Sequence, residues 1–220
     1  MILKNMTLPE IKRALIFDYE TEIKSVINRI HFQHKADWIR CKRKVSLKTV
    51  YHETKNRNTW RLIVETNEYN NTIMPYVCFY DVVGIKAFHL SSRLAPQAFL
   101  YFNTHFFKRF RERMKLDIEK PEEVIKYFIK KNFFLLPHAQ EGEEGKGRVF
   151  TQLTGGLGLG IYHAQEEIFE FKTFVDNSLL GDEQKKRLEE ILLENYNKFI
   201  KAYQENLPRL AHKIRMGQLR

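Results

Sequence analysis

Between Leu8 and Phe32 the apolar residues Ile16, Ile23, Val26, Ile27 and Ile30 return every three or four positions, the period of a helix that buries one side. Thr7 precedes this run as a cap, and Pro9 suits a first helical turn. The pattern predicts an N-terminal helix over about residues 8–32. Next, Lys44 to Thr54 alternates Val45, Leu47 and Thr49 against Ser46 and Lys48. Short runs rich in Val, Ile, Tyr, Phe and Thr follow: Asn58 to Thr66, Ile73 to Val82, Gly84 to Leu90 and Ala98 to Phe102. The segments KNRN, NEYNN and Gly84 that separate several of them are hairpin-sized, which predicts a largely antiparallel sheet.

At Asn103-Thr104 the period becomes helical again, through THFFKRFRERM, and a second helix opens at PEEVIKYFIKKN with two acids in its first turn. Residues 137–147, PHAQEGEEGKG, are polar and Gly-rich and read as an exposed, mobile loop. Arg148 to Leu153 and Leu157 to Val175 supply two or three more strands. A long final helix is predicted over about 182–205, with Leu188, Ile191, Leu192, Tyr196 and Phe199 as its stripe and Pro208 beyond it. The expected fold is therefore α+β: an antiparallel-rich sheet with an N-terminal helix, two central helices and a long C-terminal helix. The sheet and its helices would occupy about residues 40–176 of one domain spanning 1–220.

Composition narrows the classes. With 220 residues, the chain can bury about 70% of its unfolded surface, enough for a core without disulfides or metals. Cys41 and Cys78 make neither a disulfide framework nor a zinc site, which suits a reducing cytoplasm. Charges interrupt the N-terminus at Lys4, Glu10, Lys12 and Arg13, and no apolar run reaches spanning length. A soluble, cytoplasmic protein without membrane contact is expected.

Charge then points to partners. Lys and Arg number 37 against 27 Asp and Glu, a net charge of +10. Arg40, Lys42, Arg43, Lys44 and Lys48 form one cluster without an acid. Lys108, Arg109, Arg111, Arg113 and Lys115 form a second, against Glu112 alone. Clustered cations suit a polyphosphate partner, because each neutralised phosphate releases counterions. Of these, Arg40, Lys42, Arg43, Lys44, Lys48, Lys108 and Arg111 are the candidate RNA contacts. GGLGLG at 155–160 is followed by a strand and by no Gly-Lys-Ser/Thr, so a hairpin or bulged strand explains its glycines better than phosphate binding. His31, His34 and Asp37 lack a further ligand at metal spacing and read as polar residues at a helix end. No metal and no cofactor are expected.

Helical geometry singles out residues 102–114. Phe106, Phe107, Phe110 and Met114 fall in one sector about 100° wide, the face that must meet the sheet. His105, Arg109 and Arg113, four apart, form a row advancing ~40° per step along one flank. Lys108, Arg111 and Lys115 are expected to point to solvent. A histidine can move a proton near neutral pH, and guanidinium groups can hold a phosphate and its developing charge. The competing reading is an amphipathic helix whose border cations snorkel.

A strand, a helix carrying H-x-x-x-R-x-x-x-R, the helix PEEVIKYFIKKN and Gly-containing strands ending in KTFV follow one another over residues 98–180. This order resembles the barnase–EndoU–colicin–RelE group of small bacterial toxin-like ribonuclease domains. The resemblance implies a helical His and Arg set, plus a Ser, Thr or Tyr of a late strand, facing one sheet surface where RNA is cut without metal. The matching positions are His105, Arg109, Arg113 and Thr173. The chain departs from the group in its length and in the helix and strands that precede the motif. The expectation is metal-independent RNA cleavage or RNA binding. A non-enzymatic bacterial interaction protein with a basic surface is the alternative.

Overall fold

The computed structural model describes residues 2–193 except 4, 41–45, 67–70, 92–97, 133–134, 141, 143–144 and, beyond Glu183, all but Lys186, Glu190 and Leu193; at 34–40, 46, 71, 91 and 98 it describes backbone alone. The chain divides into a body, Met1–Asp176, and a C-terminal unit from Asn177. Within the latter, Asn177–Leu179 form a 3-10 turn. Asp182, Glu183, Lys186, Glu190 and Leu193 have helical backbone. The rest of the expected 182–205 helix lies outside the described residues.

The body opens with α1, Leu8–Asp18, at whose start the Thr7 amide donates to Glu10 Oε2 at 2.7 Å. A π-helical turn, Tyr19–Ile23, links it to α2, Lys24–Arg40. Helical backbone thus runs well past the expected end near Phe32. Nothing in QHKADWIR is a Gly or Pro that would stop it. The π turn lies beside a buried carboxylate. Asp18, fully buried, accepts from Thr54 Oγ1 (2.9 Å), Asn56 Nδ2 (2.7 Å), Asn58 Nδ2 (2.7 Å) and Trp60 Nε1 (3.4 Å). These four donors replace the water that a buried carboxylate loses, and they tie the helix to the first hairpin.

Among the described residues, nine strands form one sheet in the order β1-β2-β3-β4-β5-β9-β8-β7-β6. β1 (Ser46–Glu53), β2 (Thr59–Thr66), β3 (Asn71–Tyr80), β4 (Ile85–Ser91) and β5 (Ala98–Phe102) make an antiparallel meander. β6 (His138–Gln140), β7 (Lys146–Leu153), β8 (Gly156–His163) and β9 (Ile168–Asp176) make a second. β9 then lies parallel to β5, Phe99 to Phe102 facing Ile168 to Phe171. The sheet is therefore mixed. The chain between these two parallel strands runs through α3 (Thr104–Arg113) and α4 (Pro121–Lys131) and then through β6, β7 and β8.

Alternation along β5 sorts the two cores. Phe99 and Tyr101 join Ile11, Leu15, Tyr19 and Ile23 on the α1 side; Leu100 and Phe102 join α3 and α4 on the other. The second core is an array of rings: Phe102 stacks on Phe171 at 5.0 Å, and Phe110 meets Phe174 edge-on at 5.1 Å.

Two local departures come from the Gly-rich segments. His138–Gln140 pairs with Arg148–Phe150, so part of the expected mobile loop is strand, its His138 ring 4.7 Å from Phe150. In GGLGLG, Gly155 takes φ +82° in the hairpin turn under Met114, and β8 shifts register against β9 between Leu159 and Gly160. There the glycine is required by a close approach: a Cβ on Gly160 would stand 1.8 Å from the Glu170 carbonyl oxygen. Among the described residues no helix is long and apolar enough to cross a membrane.

Candidate functional site

Helix α3 is positioned from both ends. Asn103 caps it, its side chain accepting from the Phe106 amide at 2.9 Å. At its other end the Leu116 amide reaches the Arg111 carbonyl at 3.0 Å and the Lys115 amide reaches Glu112 at 3.2 Å, closing a reversed turn. The residue that must turn left-handed there is Lys115, with φ 50°. Glycine is the ordinary occupant of such a position, and any other residue costs about 1–2 kcal/mol.

Phe106, Phe107 and Phe110 are buried as the periodicity requires. On one flank of this face, α3, the start of α4 and the β3–β4 turn enclose an open cavity of about 560 Å³. Its floor is apolar: Ile85, Phe107, Leu116, Pro121 and Val124. Lys108, Arg111 and Lys115 stand along its mouth, with Glu112, Thr104 and Tyr80. All three cations are exposed, and among the described residues none is ion-paired. They do face solvent as expected, yet they also border this cavity.

The β3–β4 turn that lines the cavity is held by polar contacts. Asp81 Oδ1 accepts from the amides of Val83 (2.8 Å) and Gly84 (3.1 Å), and its carboxylate pairs with Lys86. Burial works against ionisation there, but Lys86 and the two amides outweigh it and hold the Asp81 carboxyl below its ordinary range. Thr104 donates to the Ile85 carbonyl at 2.9 Å, beside Gly84, where a Cβ would come within 2.6 Å of the threonine methyl. The Tyr80 hydroxyl donates to Glu122 on the first turn of α4. Local desolvation and that bond push the Tyr80 hydroxyl up to about 12, and the same bond lowers the Glu122 carboxyl.

The predicted catalytic row runs along the other flank and does not assemble. His105 is exposed and makes no hydrogen bond among the described residues. Arg109 is 3.3 Å from Glu112, both half exposed. Arg113 is spent on the backbone, donating to the Phe174 carbonyl. Thr173 is not brought to them. It pairs with Leu159 while Phe171 pairs with Gly160, leaving Lys172 as the extra residue of a bulge. Phe171 and Phe174 both enter the core under α3, so the pleat turns Thr173 to the opposite face of the sheet.

Of the first basic cluster, only Lys48 has a described side chain. Lys42, Arg43 and Lys44, with the side chain of Arg40, lie outside the described residues. Lys48 is exposed on β1 and faces Val64, which belongs to the core on the α1 side. It therefore projects from the face away from α3. Among the described residues no group of three or more His, Cys, Asp or Glu could hold a metal ion. What sequence reasoning missed is the cavity and its Tyr80–Glu122 wall. Tyr80 and Glu122 sit on elements far apart in the chain, and the sole local sign of the cavity is a Lys where a helix C-terminus usually has Gly. No family model matches the chain, and no curated protein or solved structure matches it either.

Proposed function

We propose that the protein binds single-stranded RNA, without cutting it, through the cationic flank of α3 and the cavity beneath it. The observation that carries this reading is the trio Lys108, Arg111 and Lys115, unpaired among the described residues and set along the rim of an apolar, aromatic-lined cavity. At 1.5 Å per residue Lys108 and Arg111 leave the helix an axial ~4.5 Å apart, and Lys115 follows in the turn just beyond it, three cations in succession for one extended strand of phosphates. Positive grooves beside aromatic platforms are the common means of holding single strands. Cations in a last turn also favour a helix by themselves. That effect accounts for Arg111 and does not require a left-handed lysine after it. Strain of this kind gathers where a side chain is needed. Cleavage has less support, because His105, Arg109, Arg113 and Thr173 do not surround one place.

Anisotropy of a labelled oligouridine of about 12 nucleotides, titrated across salt concentrations, tests the reading. Affinity should fall steeply with salt, and each lost phosphate contact should reduce the slope of log K against log salt by about 0.7. Lys115→Gly is the sharpest variant: it should raise the melting midpoint, by relieving the left-handed turn, while it weakens binding. No binding at low ionic strength, or a Lys108→Ala/Arg111→Ala/Lys115→Gly protein that binds as wild type does, would overturn the proposal.

A further inference from the structure

The geometry points to Tyr80 as a preorganised stacking platform that holds one unpaired base of the bound strand at the cavity mouth, with Glu122 as its positioning residue. The inference rests on the RNA-binding reading and adds to it what the cavity itself recognises.

Tyr80 ends β3, pairing with Ile85 across the hairpin, and is 52% exposed. An exposed tyrosine ordinarily keeps its rotamer freedom. This one is fixed at both ends, by the sheet at its backbone and by Glu122 at its hydroxyl. Glu122 is itself well placed, in the first turn of α4 behind Pro121, where a carboxylate is favoured by the helix dipole. The ordering entropy of the ring is therefore met before a ligand arrives, as a tight platform requires. The apolar floor of the same cavity includes Phe107, only 4% exposed. Lys108, Arg111 and Lys115 line the same cavity. A flat aromatic group tethered to a negative backbone meets both features at once. The cavity, about 560 Å³, has room for it. A purely ionic partner would leave the aromatic wall unused, and a purely apolar one would strand the cations.

The experiment compares an oligouridine with an abasic ribose–phosphate oligomer of equal length and charge. Wild-type protein should prefer the base-bearing strand by about 5- to 150-fold, the value of one stacked base. Tyr80→Ala should abolish that preference and leave the salt slope unchanged. Lys115→Gly should do the reverse, lowering the slope and keeping the preference. Glu122→Ala should lose part of the preference and Glu122→Gln, whose amide oxygen still accepts from the hydroxyl, should restore it. Tyr80→Leu, with the melting midpoint measured alongside, keeps the comparison valid should the alanine variant fold poorly. Equal binding of the two oligomers by wild type, or a preference that survives Tyr80→Ala and Tyr80→Leu, overturns the platform while RNA binding stands. Failure to bind either oligomer defeats the underlying reading instead.

Discussion

His89 stands in the middle of β4, 3% exposed, with Nδ1 donating to the Pro75 carbonyl at 2.8 Å. Burial pushes its pKa down to about 4, the hydrogen bond to Pro75 offsetting only part of that effect. The folded protein therefore holds the ring neutral where an unfolded chain, with an ordinary value of 6.5, would already be protonated. As pH falls through 6.5 the unfolded state gains protons first, so this residue's contribution is complete above 6.5 and is lost on the way down to about 4. The loss should amount to roughly 3 kcal/mol across that window. Urea unfolding at a series of pH values, in wild type and in His89→Asn, measures it. The asparagine amide can still donate to Pro75, so the two profiles should converge as pH falls below 6.5. Carboxyls held low in the folded state, such as Glu122, act equally in both proteins and cancel. Parallel profiles would mean that His89 is not held neutral. Nothing around HLSS in the sequence marks this histidine, because its hydrogen-bond partner Pro75 and its cross-strand neighbours Tyr76 and Leu100 come from β3 and β5.

At the scale of elements, the chain announced what depends on local pattern. The α3 face was legible because Phe106, Phe107 and Phe110 keep a helical period, and all three are buried. The strands from Ser46 to Phe102 were legible because hairpin-sized turns separate most of them. What depends on distant partners was not. His138–Gln140 is a strand only because Arg148–Phe150 lies beside it. Thr173 changed faces because one unpaired residue in β9 reverses the pleat. GGLGLG showed a bulged strand but not which glycine the bulge needs. The contacts decide that. An alanine Cβ at Gly160 would meet the Glu170 carbonyl oxygen at 1.8 Å, backbone that cannot yield without parting β8 from β9. At Gly158 it would meet side-chain ends, Leu153 Cδ1 and Phe171 Cδ1 at 3.1 Å, which give way by a few tenths of an ångström. Gly158→Ala should cost ~1 kcal/mol, or about 2–4 °C in melting midpoint. Gly160→Ala should cost at least ~3 kcal/mol, about 10 °C or loss of the fold. Equal midpoints for the two variants would place the close approach elsewhere.

For the molecule as a whole, the sheet is two antiparallel meanders, each built from neighbours in sequence, joined by a single parallel seam. That seam, Phe99–Phe102 against Ile168–Phe171, joins segments about 70 residues apart. It also fastens the two cores to each other. Phe171 stacks on Phe102 beneath α3, while Ile168, three residues earlier, enters the core beneath α1. Loop closure on that scale must be met before any seam contact rewards it. The hairpins can form earlier at little entropic cost. We therefore expect seam formation to limit the folding rate. Phe171→Leu, at a fully buried position, should destabilise by ~1–2 kcal/mol, enough for a reliable kinetic ratio. Most of that loss should appear as slower folding. Val64→Ala in β2, also fully buried, should mainly speed unfolding. Folding and unfolding rates across denaturant for the two variants separate these cases. If Phe171→Leu left the folding limb unchanged and steepened only the loss of the native state, the seam would close after the barrier, and the meanders would set the rate.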